Sequence, residues 1–364
     1  MDKKTLKVVQ ACEYLPDYGG NFMDSLRSIE TAAERVGTPL EVIYILPEGR
    51  PDLDWIKELQ RNHKVYFVTR KSTYATAKAI CNVCRKEKAD ILHRHFYSSA
   101  VLILTGFLTR TKVLRHCHNT FSKSSSILKE SVRRGMNLAI DKFVGCSEEA
   151  MNTLVDGGFP KGKCTFVTNR IDFSRLDVST NLRPFDSSKN NLLILGSDFM
   201  RKGCDLALMA IEPIAKEYKI ELQIVCHNEA LARENVRRVL GYEPEWVKYP
   251  PTTQNIGDYY RNSKIFLSPS RKEGFCYGVV EAAYCNCAVV KSDIPAMVHD
   301  LEGEDFVRIP LTVDALREKI VEILTMSPEQ SSEMLAGFRE QVIRKFDVSI
   351  WGDEVLQLYN SVMK

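Results

Sequence analysis

The 364-residue chain has little net charge and no long run of apolar residues. Its 50 Lys and Arg residues nearly balance 47 Asp and Glu residues, so the net charge of +3 creates no field that would favour a nucleic-acid partner. The longest apolar candidate, residues 100–108, is far shorter than the roughly 20 residues that cross a bilayer. The N-terminus carries no signal-peptide pattern. We therefore expect a cytoplasmic protein, attached at most to the inner face of the cell membrane.

The sequence also lacks a cysteine framework and a dinucleotide fingerprint. Its 11 cysteines are odd in number, scattered and mostly in apolar surroundings, which favours reduced thiols over disulfides. Cys81 and Cys84 have the spacing of half a zinc or redox site, but no second ligand pair accompanies them, and residues 76–86 have helical periodicity. The glycines form no Gly-x-Gly-x-x-Gly.

What the chain does contain is a repeated alternation of apolar strands and helical segments. This alternation predicts α/β architecture with parallel sheets covered on both faces. The pattern lapses at residues 178–191, a Ser- and Asn-rich linker candidate, and then resumes. We expect two Rossmann-like, doubly wound domains, residues 1–185 and 186–345, facing across a cleft where their ligands bind. The predicted strands are 6–11, 40–46, 65–68, 91–93, 113–117, 143–146, 165–167, 192–195, 222–226, 265–267 and 288–290. The predicted helices include 23–36, 204–216 and one that begins at about Glu229.

A turn with a carboxylate on each side carries the clearest functional signal. Glu273 and Glu281 flank a Gly-containing turn that follows the predicted strand 265–267 and opens a helix. Backbone N–H groups at a helix start favour an anion such as a diphosphate, and Glu oxygens accept hydrogen bonds from a diol. Together these preferences describe a nucleotide sugar. The alternative is an ordinary surface loop entering a helix.

Two other loops also connect a predicted strand to a helix. The segment 196–203 carries Arg201 and Lys202, which could neutralise a diphosphate or could simply be solvated charges. Gly19 and Gly20 could let a ligand approach the main chain, or could form a plain turn.

Four of the seven histidines end two predicted strands of the first domain: His93, His95, His116 and His118. Such a cluster suggests zinc, but no carboxylate or thiolate completes a known ligand spacing, so we predict no metal. Hydrogen bonding to sugar hydroxyls or to a nearby carbonyl is the favoured role, above all for His118. The basic stretch 110–134 could rest on anionic lipid headgroups, although a solvated face is the favoured explanation.

Taken together, these motifs resemble the family 4 retaining glycosyltransferases of the GT-B fold, over nearly the whole chain. The segment from Pro269 to Ala282 is similar to that family's Pro-Ser-x-x-Glu-Gly-Phe-Gly-x-x-x-x-Glu-Ala signature. The segment 196–203 is similar to its Gly-Arg-Leu-x-x-x-Lys-Gly segment. In that fold the terminal helices return to the first domain, which predicts the same for residues 346–364.

The resemblance implies a role for each matching position. Arg201 and Lys202 would neutralise the donor diphosphate, Glu281 would hold the ribose, and Glu273 would contact or support the transferred sugar. His118 would face the sugar near the reacting carbon. The implied catalytic residues are His118, Glu273, Arg201 and Lys202, and the implied donor-binding residues are Gly19, Gly20, Gly196, Ser197, Arg201, Lys202, Glu273, Gly274, Phe275, Cys276, Tyr277, Gly278 and Glu281.

The chain departs from the family pattern at several of these positions. Ser197 stands where the family has Arg, and Arg170 stands where it has a glycine and could recharge part of the cleft. The second glycine of the signature is displaced from Cys276 to Gly278. Asn286 replaces a glycine but tolerates the same left-handed helix cap.

These observations lead to one functional hypothesis and two alternatives. The hypothesis is a retaining, metal-independent transferase without a cofactor, moving a hexose-type sugar from a UDP-sugar to a hydroxyl of a glycan, glycolipid or small molecule. Family analogy places it in bacterial surface polysaccharide synthesis. The alternatives are a nucleotide-sugar epimerase and a non-catalytic, glycosyltransferase-like partner subunit.

Overall fold

The computed structural model describes residues 4–121, 127–177, 190–294 and 307–364, and the chain forms two compact units. The first unit comprises Met1–Arg170 and Val348–Lys364, and the second comprises Ile171–Asp347. The sequence placed the boundary at residue 185, whereas residues 171–177 group with the second unit. Most of the predicted linker, 178–189, lies outside the described residues.

The first unit is a doubly wound sheet of seven parallel strands in the order β3-β2-β1-β4-β5-β6-β7. Its central strands are buried on both faces, which explains their nearly continuous apolar sequences. The strands are β1 Leu6–Cys12, β2 Leu40–Pro47, β3 Lys64–Val68, β4 Ile91–His95, β5 Lys112–Cys117, β6 Lys142–Gly145 and β7 Cys164–Phe166.

In the described part of this unit, seven α-helices cover the sheet: α1 Gly20–Arg35, α2 Asp54–Asn62, α3 Thr73–Glu87, α4 Ser99–Leu108, α5 Ile127–Ala139, α6 Glu148–Asp156 and, from the C-terminus, α14 Val348–Val362. Helix α14 lies against α1, and Gly352 sets how closely they approach, because a Cβ there would lie 2.2 Å from the Ser28 carbonyl oxygen. The inner face of α14 buries Trp351, Val355 and Tyr359. The last helix of the chain is thus part of the first unit.

The second unit has a parallel sheet of six strands in the order β10-β9-β8-β11-β12-β13. These strands are β8 Asn190–Leu195, β9 Ile220–Val225, β10 Val247–Lys248, β11 Ile265–Ser268, β12 Ala288–Ser292 and β13 Val307–Ile309. The helices are α7 Ser174–Asp177, α8 Cys204–Ile211, α9 Glu229–Leu240, α10 Gly257–Arg261, α11 Tyr277–Tyr284, α12 Val313–Thr325 and α13 Pro328–Phe346. The predicted α/β class with two Rossmann-like units is confirmed.

Several details differ from the sequence-based expectation. The helix predicted at 204–216 ends at Ile211. The short strand β10 was not predicted, because two residues between Pro-containing turns give no periodic signal.

Two other details agree with the sequence analysis. Asn286 adopts a left-handed conformation with φ of 57°, as its cap position required. The described cysteines are thiols, and ten of them are buried.

Candidate functional site

In the second unit, a glycine allows the loops that follow β8 and β11 to touch. Gly203 has a φ of +71°, and a Cβ at this position would lie 2.0 Å from the carbonyl oxygen of Pro269. Any other residue would therefore force the two loops apart. The adjoining Lys202 is thereby brought to the side chain of Glu273.

Glu273 is the centre of a buried polar cluster. Its Oε1 accepts hydrogen bonds from Lys202 Nζ and from the Ser270 hydroxyl, both at 2.7 Å. Its Oε2 lies 3.3 Å from Arg201 Nη1, and Arg201 also pairs with Asp198 at 2.9 Å. Burial opposes the charge of Lys202, but nearby negative charge, including that of Glu273, outweighs it and raises its pKa. The two cations expected to face a diphosphate are therefore paired with carboxylates of the same unit.

Helix α11 begins at Tyr277, within the signature segment. Gly278 packs directly on the ring of Phe266, since a Cβ there would lie 2.7 Å from Phe266 Cζ. The displaced glycine thus has a packing role on β11. The N-terminus of α11 carries partial positive charge and follows Glu273 by four residues, so it favours an anion close to the cation cluster.

Glu281, on the buried face of α11, is also already hydrogen bonded. Its Oε2 accepts from the Tyr260 hydroxyl at 2.8 Å, and its Oε1 lies 2.5 Å from Arg175 Nη2. Its side chain is 6% exposed. The hydrogen bonds from Tyr260 and Arg175 orient the Glu281 carboxylate, whose oxygens are of the acceptor type that a diol requires. The sequence reasoning missed Tyr260 and Arg175, since neither has a telling spacing from Glu281.

A cavity of about 430 Å³ lies between the loop after β8 and the start of α9. Its lining includes Asp198, which pairs with Arg201 of the cluster around Glu273. The predicted residues Gly196 and Ser197 line the cavity. So do His227 and Asn228, which the sequence analysis did not select, although they too follow a strand and precede a helix. The residues that follow β9 therefore line the same cavity as the predicted residues that follow β8.

In the first unit, a hydrogen-bonded chain begins at His118. The Gln10 amide nitrogen lies 2.7 Å from the Tyr359 hydroxyl and must donate to it, so the amide oxygen, 3.1 Å from His95 Nε2, must accept. His95 therefore carries its proton on Nε2 and has a bare Nδ1. That atom lies 3.1 Å from His118 Nε2, which must then be the donor. His118 is left with an unprotonated Nδ1, an acceptor suited to a hydroxyl.

The same chain continues beyond Tyr359. The Tyr359 hydroxyl lies 2.8 Å from His93 Nδ1 and donates to it, because it already accepts from the amide. His93 Nε2 then donates to His116 Nδ1 at 3.3 Å. Burial lowers the pKa of His93 and His116, that of His116 to about 3, so both rings are neutral at pH 7. Each neutral ring has one donor and one acceptor, which makes the direction of the whole chain consistent.

The histidines also approach closely enough to be examined as a metal site. Ring nitrogens of His93, His95 and His116 lie within 4.8 Å of one another. A metal would have to replace the hydrogen bonds that now join these rings to each other, to Gln10 and to Tyr359. The hydrogen-bonded chain accounts for the cluster without an ion, and the absence of a metal stays a prediction.

Three further sequence features have local partners. Gly20 opens α1 with a φ of +56°, and the Gly19 carbonyl accepts from the Tyr14 hydroxyl at 2.9 Å. Arg170, which the sequence suggested could recharge part of the cleft, has its guanidinium 3.2 Å from Glu354 of α14, and its effect on a ligand stays a prediction. The chain also contains the Asp-x-Asp triplet 52–54, whose exposed carboxylates lie near Arg50 and Lys57 at the start of α2.

The basic stretch 110–134 is described only in part, since 122–126 lie outside the described residues. Lys112 pairs with Asp141, and Arg133 and Arg134 share Glu130. Within the part of the chain that the structure covers, no helix is long and apolar enough to cross a membrane.

Comparison with known proteins identifies the family. The family model described as "Glycosyltransferase Family 4" matches residues 39–175, and that described as "Glycosyl transferases group 1" matches residues 189–326. The chain belongs to the family 4 glycosyltransferases of the GT-B fold. The predicted resemblance is therefore confirmed.

Three known proteins illustrate the similarity, each at low sequence identity. This glycosyltransferase is 24% identical over 225 residues to the capsular polysaccharide biosynthesis glycosyltransferase CapH of Staphylococcus aureus, and the match covers 58% of this chain and 61% of CapH. A glycosyltransferase from Rickettsia africae has a similar structure, with a TM-score of 0.79, 17% identity and 99% of each chain covered. Anabaena HepE in complex with UDP-glucose gives a TM-score of 0.75 at 14% identity, covering 98% of this chain and 100% of HepE.

Proposed function

We propose that this glycosyltransferase is a retaining, metal-independent enzyme that transfers a hexose from a UDP-sugar to an acceptor hydroxyl. The observation that carries the proposal is the cluster of Lys202 and Arg201 on Glu273, just ahead of the N-terminus of α11. Cations and a helix N-terminus in one place suit a leaving diphosphate without a metal ion. The UDP-glucose complex of HepE, which shares the fold, supports a uridine nucleotide.

The reaction would break the bond between the anomeric carbon and the diphosphate oxygen. A new bond would form between that carbon and the acceptor oxygen on the same face of the sugar. The acceptor proton would pass to the leaving diphosphate oxygen, whose charge Lys202 and Arg201 stabilise. To reach the diphosphate, the two cations would exchange part of their contact with Glu273 and Asp198 for phosphate oxygens.

The remaining contacts follow from the geometry of the second unit and from the family resemblance. Glu281, held by Tyr260 and Arg175, would accept hydrogen bonds from the ribose hydroxyls. The signature loop from Gly274 to Gly278 would offer backbone to the sugar and the phosphates, and Gly196 and Ser197 would line the nucleotide cavity. His118 would accept a hydrogen bond from a hydroxyl through Nδ1.

The cellular role is proposed from relatives alone. CapH is named for capsular polysaccharide biosynthesis, which supports a bacterial surface glycan as the setting. The acceptor would be a glycan or glycolipid at the inner face of the cell membrane, with residues 110–134 as the contact. Flotation of the protein with anionic and neutral vesicles tests this contact, and equal recovery from both would refute it.

A screen of UDP-, GDP- and ADP-sugars by thermal shift tests the donor, followed by transfer assays with and without a chelator. We expect stabilisation by one UDP-sugar, chelator-resistant transfer and a product with the anomeric configuration of the donor by NMR. Conversion of the donor alone into its epimer would favour an epimerase. Failure of every nucleotide sugar to bind would favour a non-catalytic partner subunit.

A further inference from the structure

The first unit contains a second polar cavity, of about 220 Å³, at the carboxyl ends of β4 and β5. Its described lining includes two arginines, Arg94 and Arg115, and no Asp or Glu. Phe121, Leu102 and Leu154 form an apolar wall. A cavity with cations and no carboxylate has a positive potential, and apolar walls strengthen it.

The two arginines lie side by side on one face of the sheet. Arg94 and Arg115 are register partners on the neighbouring strands β4 and β5, so their side chains leave the sheet in the same direction. Arg94 is 1% exposed. Its Nη1 donates to the Val101 carbonyl oxygen and to the Thr105 hydroxyl of α4, which anchors the guanidinium.

The rest of the Arg94 guanidinium has no acceptor. Among the described residues, its Nε and Nη2 have no hydrogen-bond partner, and no carboxylate pairs with it. The guanidinium carbon lies 4.9 Å from the centre of the Tyr97 ring, and the buried Tyr97 hydroxyl likewise has no hydrogen-bond partner among the described residues. Both residues line the cavity.

A buried guanidinium with open donors is energetically costly. Burial lowers the pKa of Arg94 to about 10, so the side chain remains charged at neutral pH. A buried charge is normally paired, because an unpaired one loses hydration and gains nothing in return. Two open guanidinium donors form the fork that binds two oxygens of a carboxylate or phosphate.

We propose that this cavity binds an anionic group, a phosphate or a carboxylate, held by Arg94, Arg115 and the Tyr97 hydroxyl. The anionic group belongs to the acceptor, an assignment that rests on the proposed transferase function. The acceptor would then be an acidic sugar, a sugar phosphate or a phospholipid-linked glycan rather than a neutral glycan.

Thermal shift with inorganic phosphate, at constant ionic strength in chloride, tests the site independently of transfer. Saturating UDP is present throughout so that the cation cluster of the second unit is occupied. Phosphate, and acetate in a parallel arm, should raise the melting temperature of the wild type and of R85M, a control on the outer face of α3. R94M should lose this shift.

Two further measurements distinguish loss of the anion site from loss of folding. Without phosphate, R94M should melt at the same temperature as the wild type or higher, because an unpaired buried charge has been removed. R115M changes a partly exposed residue and should weaken the phosphate shift while the protein stays folded. Equal phosphate shifts in wild type, R94M and R115M would overturn the proposal, as would a wild type that phosphate does not stabilise.

Acceptor assays then distinguish a phosphate from a carboxylate as the anionic group of the acceptor. They also test the proposed transferase function. Glucose 6-phosphate, glucuronate and glucose serve as probes with the donor found above. An anionic probe should be used on the order of tenfold better than glucose, an advantage that R94M removes. Phosphate binding without any transfer would refute the transferase proposal while leaving the anion site intact, and preference for glucose in both proteins would refute the anion site as an acceptor site.

Discussion

The two units hold their functional groups in opposite ways. In the second unit, the candidate groups are ions that neutralise one another, with Glu273 bound by Lys202 and Arg201, and Glu281 bound by Arg175. In the first unit, the groups are neutral histidines in a directed hydrogen-bonded chain, and the buried Arg94 cation has no hydrogen-bond partner for Nε and Nη2 among the described residues.

This difference has a physical consequence for ligand binding. A diphosphate competes with carboxylates for the cations of the second unit, so binding there exchanges one ion pair for another. A ligand of the first unit meets donors and acceptors whose directions are already set and pays little for reorganisation. Variants of the second unit should therefore change charge balance, and variants of the first should change protonation states.

The largest effect should come from K202M. Methionine keeps the volume but removes the charge that we propose stabilises the leaving diphosphate, so kcat should fall by about 10²- to 10³-fold. Glu273 keeps Ser270 and Arg201 as partners, so the fold should persist. Steady-state transfer kinetics, with circular dichroism as a check on folding, measure this. K264M, on an exposed lysine at the opposite end of β11, is the matched control, and equal rates in the two variants would remove Lys202 from the mechanism.

The second largest effect should come from E281Q. Glutamine keeps the shape but loses the ion pair with Arg175 and one charge-assisted acceptor, so KM for the donor should rise about 10- to 100-fold with a smaller change in kcat. Isothermal titration with UDP measures the loss of nucleotide affinity without catalysis. E234Q, on the exposed face of α9, should bind UDP as the wild type does. A purely structural Glu281 would instead lower the melting temperature and leave UDP affinity unchanged.

The fold could be predicted from the sequence because its determinants are local. Parallel strands buried on both faces are continuous apolar runs, and α9 begins at the predicted Glu229, after an Asn228 cap that accepts from Leu231 N. The candidate loops were found for the same reason: each carries its glycine and its charge within a few residues of a strand end.

The partners of the site residues could not be predicted, because they come from distant parts of the chain. Arg175 lies 106 residues from Glu281, and Tyr359 lies 266 residues from His93. No spacing rule links such residues. The sequence also showed Arg201 and Lys202 as two cations, whereas only the folded loops reveal that Glu273 neutralises them.

Acidification should weaken the first unit more than the second. Burial holds the pKa of His93, His95, His116 and His118 below that of an unfolded histidine, near 6.5, so the unfolded chain binds more protons as the pH falls. These rings leave the free energy of unfolding unchanged above about pH 6.5. Toward pH 3 they lower it by about 1.4 kcal/mol per pH unit for each additional proton that the unfolded chain binds.

His63 acts in the opposite direction, because its hydrogen bond to Glu30 raises its pKa, and it offsets part of this loss. Hydrogen exchange at pH 7, 6 and 5, corrected for intrinsic rates, compares the two units. The second unit is the reference, because its described residues include a single histidine, His227. Faster opening of β4 and β5 than of β8 and β11 at pH 5 is expected. Uniform behaviour of both sheets would contradict the assignment of neutral, buried histidines.

The smallest effect should come from Y359F, which removes one hydroxyl from the hydrogen-bonded chain. Gln10 then loses its acceptor and can turn its amide, so His118 should become a mixture of two tautomers, and kcat should fall by about two- to tenfold. Nitrogen-15 NMR of the histidine rings reads the tautomers directly. Y44F removes a hydroxyl that is equally buried in the same unit and, among the described residues, has no hydrogen-bond partner, so it should leave the tautomers unchanged. If NMR shows the proton of wild-type His118 on Nδ1, the direction of the hydrogen-bonded chain is the reverse of the one assigned here. Nδ1 would then be a donor and could not accept a hydrogen bond from a hydroxyl.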